Sequence, residues 1–328
     1  MSHSGVNTAA AKNLSVIVIG LNEEERLGEA LASVFDGCPP GISLDVCYVD
    51  SGSCDRSVEI ANGVHGVSVV HLSASKPSAA KARNAGLQRA TGAYVQLLDG
   101  DSVLQPGWLK NAVNYLGENP EVACVFGQCL EMNPKQSAYM RVCGHDWHVP
   151  PGDHRLCGGN AMWRREVLAH AGFFDESLRL GEEPDLCYRV RQDGWRIRCI
   201  DLPMVKHDLG MVSFRQYWQR GINSGKAYAR VALRYWKKDE KLWLYETVRN
   251  FMEPAIWLVL LALGAWFYGW MAGVAALISW WILRAFRTAM KVRDRATGWG
   301  DAFLYGLHAQ FIRLPVALGQ LKALMSAH

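Results

Sequence analysis

The first hundred residues alternate between short apolar runs and segments whose apolar residues recur at helical spacing. The runs at residues 14–20, 44–49, 67–72 and 94–98 are bounded by polar or glycine residues, which favours buried strands. An amphipathic helix is predicted from about Asn22 to Phe35, and others follow the second and third strands. This alternation predicts a parallel, right-handed, doubly wound sheet.

Polar residues follow these predicted strands. Asn22 and Glu23 follow the first, Asp50 ends the second, and an Asp-Gly-Asp sequence at 99–101 follows the run at 94–98. In open α/β sheets, ligands bind in the crevice outside the carboxyl ends of the strands. Two carboxylates there suit Mg²⁺ or Mn²⁺, which would hold a diphosphate. The alternative is structural: Asp-Gly-Asp as a solvated turn, and Asn22 and Asp55 as helix caps.

Basic residues precede the Asp-Gly-Asp sequence. Lys81, Arg83 and Asn84 fall within one turn of a helix predicted between residues 76 and 89. Positive charge at a helix start beside two carboxylates suits a diphosphate that lies between them.

Four motifs, in this order and at this spacing, make the chain resemble the family 2 glycosyltransferases of the GT-A fold. They are Asn22-Glu23-Glu24, the loop 50–55, Ala-Arg-Asn-Ala-Gly at 82–86 and Leu-Asp-Gly-Asp at 98–101. The resemblance implies an α/β GT-A nucleotide-diphospho-sugar transferase fold with a doubly wound mixed sheet. It also implies a nucleotide-sugar site formed by Asn22, Glu23, Asp50, Lys81, Arg83, Asp99, Gly100 and Arg220. Within that site, Asp50 and Glu23 would bind the base and ribose.

The resemblance extends to about residue 225 and implies the remaining catalytic groups. Gly158, Gly159, Asn160 and Trp163 would contact the donor or acceptor sugar. In the acidic motif that starts at Gly181, the family's catalytic base corresponds to Glu183, with Glu182 and Asp185 as alternatives. A metal site for Mn²⁺ or Mg²⁺ would use Asp99, Asp101 and His207. Arg220 would contact the diphosphate; its motif departs from that of processive synthases, because Gly221 replaces a tryptophan, so processivity is not inferred.

The nine cysteines include no Cys-x-x-Cys pair, which indicates reduced thiols in a cytosolic domain. A cluster of Cys143, His145, His148, His154 and Cys157 has no common zinc spacing. We interpret this segment instead as a mobile acceptor-side loop in which Trp147 stacks on a sugar.

The tail is basic and apolar. From Lys241 onward, nine Lys/Arg face four Asp/Glu, which points to a membrane or nucleic-acid surface. Residues 254–283 carry no charge but include five tryptophans, which favours a membrane over a nucleic acid. The alternatives are one tilted span, a hairpin broken near Gly269, or a buried helix of a soluble domain, which a run of this length disfavours. Positive residues on both flanks favour the hairpin, with both ends in the cytoplasm.

Beyond the apolar run, Leu307, Phe311, Leu314, Leu318 and Leu321 recur at helical spacing, with His308, Arg313, Gln320 and Lys322 largely elsewhere. This pattern predicts an interfacial amphipathic segment that Pro315 kinks. The predicted organisation is therefore a polar tail at 1–13 without a signal peptide, a GT-A domain at 14–230, a basic amphipathic linker helix at 231–253, the membrane segment at 254–283 and the interfacial segment at 284–328.

These features predict an inverting glycosyltransferase at the cytoplasmic face of the inner membrane. The resemblance implies a UDP-sugar as the first choice of donor and GDP-mannose as the second. It also implies a polyprenyl-linked glycan acceptor in exopolysaccharide or cell-surface synthesis. An inactive nucleotide-sugar binder and a sugar nucleotidyltransferase are the alternatives. The second normally has a Gly-rich phosphate loop after its first strand, where this chain has Leu21-Asn22-Glu23.

Overall fold

The structure is a computed structural model, and it describes residues 13–72 and 77–326. The predicted polar tail at 1–13 therefore lies outside the described residues, except for Asn13. The chain divides into two compact units, and most of the first lies before Leu209 whereas most of the second lies from Leu209 onward. The segment Asn133–Trp147 belongs to the second unit, while His148–Asp208 belongs to the first.

The first unit is built on a mixed sheet. Its strands are β1 (Leu14–Gly20), β2 (Leu44–Asp50), β3 (Val67–His71), β4 (Tyr94–Asp99), β5 (Ser102–Leu104), β6 (Val122–Glu131), β7 (Gly152–Asp153), β8 (Ala161–Arg164) and β9 (Arg196–His207). Their order is β3-β2-β1-β4-β8-β6-β9-β5, and β7 pairs with β9. Strands β1 to β4 run parallel, whereas β8 is antiparallel to both β4 and β6. The predicted doubly wound mixed sheet is confirmed.

The helices, in chain order, are α1 (Leu27–Asp36), α2 (Ser57–Gly63), α3 (Ala79–Leu87), α4 (Trp108–Glu118), α5 (Ala138–Gly144), α6 (Arg165–His170), α7 (Glu182–Gln192), α8 (Phe214–Tyr235), α9 (Leu244–Tyr268), α10 (Trp270–Val292), α11 (Trp299–Phe311) and α12 (Arg313–Met325). A 3₁₀ turn at His145–Trp147 follows α5. The segment interpreted as a loop around Trp147 is therefore partly helical.

The start of α1 corrects the sequence prediction. Asn22 has a positive φ of 60°, which a helix does not accept, and α1 begins only at Leu27. The Asn22 carboxamide oxygen instead accepts a hydrogen bond from the Cys54 backbone N–H at 2.9 Å. Asp55 accepts the backbone N–H of Ser57, the first residue of α2, at 3.0 Å. Asn22 thus ties two loops together and caps no helix.

In the second unit, α9 and α10 form an antiparallel hairpin. The chain reverses at Gly269, whose φ of 86° suits glycine. The Trp257 and Trp281 rings lie 4.9 Å apart, and Glu253 pairs with Arg284 further from the turn. Residues 254–283 therefore do not form one continuous span. Within the described residues, α9 is the one helix long and apolar enough to cross a membrane.

Two predictions about the tail need revision. The boundary predicted at residue 230 and the linker helix predicted at 231–253 do not match the observed elements, because α8 ends at Tyr235 and α9 begins at Leu244. The kink predicted at Pro315 agrees with the structure: helices α11 and α12 separate at Ile312, since Pro315 has no N–H to offer the carbonyl of Phe311.

The predicted amphipathic stripe is only partly observed. Leu318 and Leu321 are exposed, whereas His308 and Gln320 are buried. These polar side chains have partners inside the unit: the Tyr217 hydroxyl lies 2.9 Å from His308 Nδ1, and Gln320 donates to the carbonyl of Thr247 at 3.3 Å. Hydrogen bonding therefore overrides the polar pattern that the sequence suggested.

Candidate active site

The Asp-Gly-Asp sequence lies in the tight connection between β4 and β5. Asp99 ends β4, and its backbone N–H donates to Asn160 Oδ1 at 2.8 Å. Gly100 is buried, and a Cβ there would lie 3.1 Å from both the carbonyl oxygen of Ile19 and the side chain of Glu23. Such a packed turn fixes the two carboxylates and differs from the solvated turn that the sequence left open.

Three side chains converge where these strands end. Strand β5 pairs antiparallel with β9, and this register places Ser102 opposite His207. As a result, Asp101 Oδ1 lies 3.3 Å from His207 Nε2. Ligand atoms of Asp99, Asp101 and His207 all lie within 4.8 Å of one another. Carboxylate oxygens with one imidazole nitrogen form a donor set that fits Mn²⁺, and Mg²⁺ less well because of the nitrogen.

The electrostatics of this edge favour a cation. Burial, reinforced by the charge of Asp99, raises the pKa of Asp101 to about 6, although His207 opposes the shift. Burial also raises the pKa of Glu23 to about 7, with Asp101, Asp99 and Asp55 adding to the effect. Several carboxyl groups therefore compete for ionisation, and a bound cation would relieve their repulsion.

Arg83 lies at the centre of the site. Its guanidinium donates to Asp99 and to Glu182, each at 3.0 Å, and the residue is only 4 % exposed. A Cβ at Gly159 would lie 2.7 Å from Arg83 Nη2 and 2.9 Å from Asp99 Oδ2. The Ala-Arg-Asn motif, the Gly-Gly-Asn motif and the Asp-Gly-Asp motif thus meet around one ion pair.

The three acidic candidates on the first turn of α7 have different partners. Glu182 is paired with Arg83, as described above. Asp185 is fully buried and pairs with Arg189 at 2.9 Å, while Arg189 also donates to the carbonyls of Ala171 and Phe173. Asp185 therefore anchors α7 to the neighbouring loop and offers no surface to a substrate.

Glu183 is half-buried and bonds to neutral donors. Its Oε1 accepts the backbone N–H of Cys157 at 2.8 Å and the thiol of Cys187 at 2.9 Å. Of the three candidates, Glu183 is the one whose carboxylate is held without a direct arginine hydrogen bond among its described contacts. Such a group suits a general base better than its two neighbours do.

The remaining predicted nucleotide ligands lie in the same unit. Asp50 is buried and accepts the backbone N–H groups of Gly52 and Ser53, each at 3.0 Å from Oδ2, which orders the loop after β2. Lys81 lies half-buried in the first turn of α3, and Gly158 is exposed with a φ of 82°.

Trp163 does not fit its predicted role. It is only 1 % exposed and belongs to the core, where β8 pairs with β4 and β6. A sugar cannot stack on a ring that is enclosed in this way, so the prediction of sugar contact at this residue is wrong. Asn160, which directly precedes β8 in the same motif, does reach the site, because its Oδ1 accepts the backbone N–H of Asp99.

The second unit holds other predicted residues. Arg220 lies on α8. His145 lies 3.1 Å from Asp301, and His308 lies 3.2 Å from Asp146, a pairing that the sequence did not reveal because the partners are 162 residues apart. The five-residue Cys/His cluster is divided between the units, with Cys143 and His145 in the second and His148, His154 and Cys157 in the first.

The mixed sheet, with carboxylates at its carboxyl edge, has the arrangement of the GT-A fold. Residues 15–171, just under half of the chain, match the model of Glycosyl transferase family 2. The chain is 28% identical over 212 residues to the pre-mycofactocin glycosyltransferase of Mycobacterium tuberculosis, a match that covers 61% of this chain and 44% of the relative. The chain thus matches less than half the length of that curated relative.

Two solved structures share the fold. A mannosyltransferase from Pyrobaculum calidifontis in complex with GDP-Man and Mn²⁺ has a TM-score of 0.62 at 18% identity, covering 97% of this chain and 90% of that one. TarS 1–349 of S. aureus in complex with UDP-GlcNAc has a TM-score of 0.57 at 16% identity, covering 94% and 92%.

Proposed function

We propose that the protein is an inverting glycosyltransferase that moves a sugar from a nucleotide-diphospho-sugar to a hydroxyl group. The observation that carries this proposal is the convergence of Asp99, Asp101 and His207 beside the Arg83 ion pair. The carboxylates and the imidazole would bind a metal ion, and the buried guanidinium would add positive charge beside a diphosphate held by that metal.

The donor is held by the carboxyl edge of the sheet. Asp99, Asp101 and His207 would hold Mn²⁺ or Mg²⁺, which would supply electrostatic stabilisation of the leaving diphosphate. Asp50 and Glu23 bind the base and ribose, and Lys81 and Arg83 contribute positive charge near the phosphates. A UDP-sugar is our first choice of donor and GDP-mannose our second.

Glu183 acts on the acceptor. Inversion requires an acceptor hydroxyl in line with the breaking bond and a base that takes its proton. The backbone N–H of Cys157 and the thiol of Cys187 fix one carboxylate oxygen of Glu183. The other oxygen then receives the acceptor proton as the new glycosidic bond forms, which is general base catalysis.

The hairpin of α9 and α10 supports a membrane-bound acceptor. Trp266 and Tyr268 are each 83 % exposed near its tip, and Met271 is 79 % exposed. The first arm runs from residue 254 to the tip, and the second runs from the tip to residue 283. Each spans roughly 22 Å, which is less than the hydrocarbon core of about 30 Å. We infer a re-entrant hairpin in the cytoplasmic leaflet of the inner membrane, with a polyprenyl-linked glycan in exopolysaccharide synthesis as the acceptor.

A panel of radiolabelled nucleotide-sugars tests this function. We expect release of UDP or GDP together with labelled lipid-linked glycan in the presence of Mn²⁺. Binding without turnover would instead indicate an inactive nucleotide-sugar binder, and pyrophosphate exchange would indicate a nucleotidyltransferase. Efficient transfer to a free oligosaccharide, unaffected by removal of its lipid, would contradict the proposed acceptor.

A further inference from the structure

Two buried thiols flank the carboxylate of Glu183. Cys157 is 6 % exposed and Cys187 is fully buried. Their sulfur atoms lie 3.6 Å apart, and Glu183 Oε1 lies 3.4 Å from Cys157 Sγ and 2.9 Å from Cys187 Sγ. In the proposed mechanism these thiols serve only as hydrogen-bond partners of Glu183.

The local fold explains this grouping. Glu183 and Cys187 are four residues apart on α7 and therefore share one helix face. Cys157 precedes Gly158 and is held against that face by its backbone N–H, which donates to Glu183. Glu183 is half-buried, so the cluster is less enclosed on its side than around the two thiols.

The spacing matches one face of a tetrahedral zinc site. Zn–S bonds of about 2.3 Å and Zn–O bonds of about 2.1 Å give tetrahedral edges of roughly 3.8 Å between two sulfurs and roughly 3.6 Å between sulfur and oxygen. The observed S···S distance of 3.6 Å and the S···O distance of 3.4 Å to Cys157 come within a few tenths of an ångström of these edges. The S···O distance of 2.9 Å to Cys187 is shorter than its edge. Small side-chain shifts would accommodate the ion.

We propose that Cys157, Glu183 and Cys187 form an inhibitory site for a thiophilic divalent cation such as Zn²⁺. On binding, both thiols release their protons to water, and two thiolates and the carboxylate replace waters of the ion. No oxidation is involved. The softness of sulfur selects Zn²⁺ over Mg²⁺ and Mn²⁺ here, whereas Asp99, Asp101 and His207 present harder donors.

The inhibition rests on the proposed role of Glu183 as the base. A carboxylate that ligates a cation no longer accepts the proton of the acceptor hydroxyl. Zinc would therefore stop turnover at the acceptor step and leave the donor site in place.

Cobalt spectroscopy tests the site independently of activity. With the full chain in excess Mg²⁺, Co²⁺ should produce a thiolate-to-cobalt charge-transfer band that Zn²⁺ abolishes. The band should disappear in Cys157→Ala and in Cys187→Ala but persist in Cys47→Ala, which removes a buried thiol on β2. X-ray absorption on wild type should count about two sulfur ligands, even if a variant fails to fold. No band, or an equal band in all folded variants, would overturn the proposal.

Inhibition separates this site from the proposed function. In excess Mn²⁺, Zn²⁺ should inhibit wild type at a concentration at least tenfold below that needed for either cysteine variant. Equal inhibition in all three would overturn the inhibitory role and indicate displacement at Asp101 and His207. If wild type gives the expected cobalt band but Glu183→Gln is fully active, the metal site would be supported. Glu183 would then not be the catalytic base.

Discussion

The two units depart from the usual distribution of side chains in opposite directions. The first buries charge, with Arg83 only 4 % exposed between Asp99 and Glu182. The second exposes large apolar side chains, with Trp266 83 % exposed in the hairpin. Globular proteins rarely bury charged groups without partners, and clustered exposed aromatic residues mark interaction surfaces.

Each departure indicates the chemistry of a ligand. The repulsion among buried carboxyl groups such as Glu23 and Asp101 would be relieved by a bound cation, which could in turn hold a diphosphate. Exposed tryptophans at the turn of a helical hairpin would be stabilised by the interface of a bilayer. These features support the proposed donor chemistry in the first unit and the proposed membrane binding in the second, and mutation can test the two proposals separately.

The largest expected effect comes from Asp101→Ala. Removal of this carboxylate should abolish transfer, because the diphosphate charge would lose its compensation. Turnover with saturating donor, with and without Mn²⁺, measures the effect, and Asp36→Ala at the exposed end of α1 is the control. Full activity of wild type in EDTA would show that transfer needs no metal. Otherwise, added Mn²⁺ should restore the activity of EDTA-treated enzyme.

Glu183→Gln should lower turnover by about two to four orders of magnitude while nucleotide-sugar binding stays nearly unchanged, as expected for loss of a general base. Rapid-mix turnover and equilibrium donor binding separate the two quantities. Glu182→Gln should instead weaken donor binding, because it releases Arg83. A larger loss of turnover in Glu182→Gln or Asp185→Asn would show that the base is assigned to the wrong residue.

Asp185→Asn should act on stability. The fully buried carboxylate pairs with Arg189, whose side chain is 28% exposed, so we expect a loss of roughly 2–3 kcal/mol in the free energy of unfolding, below the 3–5 kcal/mol typical of a fully buried broken pair. Urea unfolding measures this loss, and the matched variant Asp193→Asn lies just beyond the same helix. Unchanged stability together with lost turnover would move Asp185 into the catalytic group.

The hairpin should respond to Trp266→Ser combined with Trp270→Ser. Vesicle binding should weaken at least tenfold, since each aromatic side chain contributes on the order of 1 kcal/mol or more when it leaves water. Flotation with anionic vesicles measures binding, and Trp236→Ser, an exposed tryptophan just after α8, is the control. Equal binding of all variants would contradict a membrane-inserted tip.

The smallest effect is a pH dependence of Mn²⁺ affinity. Because the pKa of Asp101 is raised to about 6 in the folded protein, its protonated form is favoured at low pH, and Mn²⁺ must displace that proton. Affinity should therefore rise about fourfold between pH 5.5 and 7.5 for one such group. Calorimetry in two buffers of different ionisation enthalpy measures the proton release. A pH-independent affinity would contradict Asp101 as a ligand.

The raised pKa of Glu23 also makes the stability of the folded protein depend on pH. The folded-state pKa of Glu23, about 7, lies above its ordinary value of 4.5, so the folded protein holds this proton more tightly than the unfolded chain does. The resulting stabilisation is complete below pH 4.5 and is lost as the pH rises to about 7. A bound divalent cation should reduce this loss.

Sequence reasoning found the sheet and the meeting point of the motifs because both follow from local patterns. Apolar runs ending in Asp50 and Asp99 predict strands, and parallel strands place their carboxyl ends together. It failed where tertiary contacts decide. Trp163 is enclosed by neighbouring strands, Asn22 adopts a positive φ to join a distant loop, and Cys187 meets Cys157 across 30 residues.

The tail shows the same limit. The break at Gly269 could be anticipated from a glycine between aromatic residues, and the predicted hairpin is observed as a pair of packed helices. The burial of His308 and Gln320 could not be anticipated, because their partners Tyr217 and Thr247 are distant in sequence. Hydrogen bonds of this kind leave no periodic signal.

Anomalous diffraction at the manganese edge, from crystals grown with Mn²⁺ and a nucleotide-diphospho-sugar, tests the central claim most directly. We expect one strong peak within bonding distance of Asp101 and His207, next to the diphosphate of the donor. A donor bound at the carboxyl edge without such a peak, or a manganese peak at Cys157, Glu183 and Cys187 instead, would contradict it.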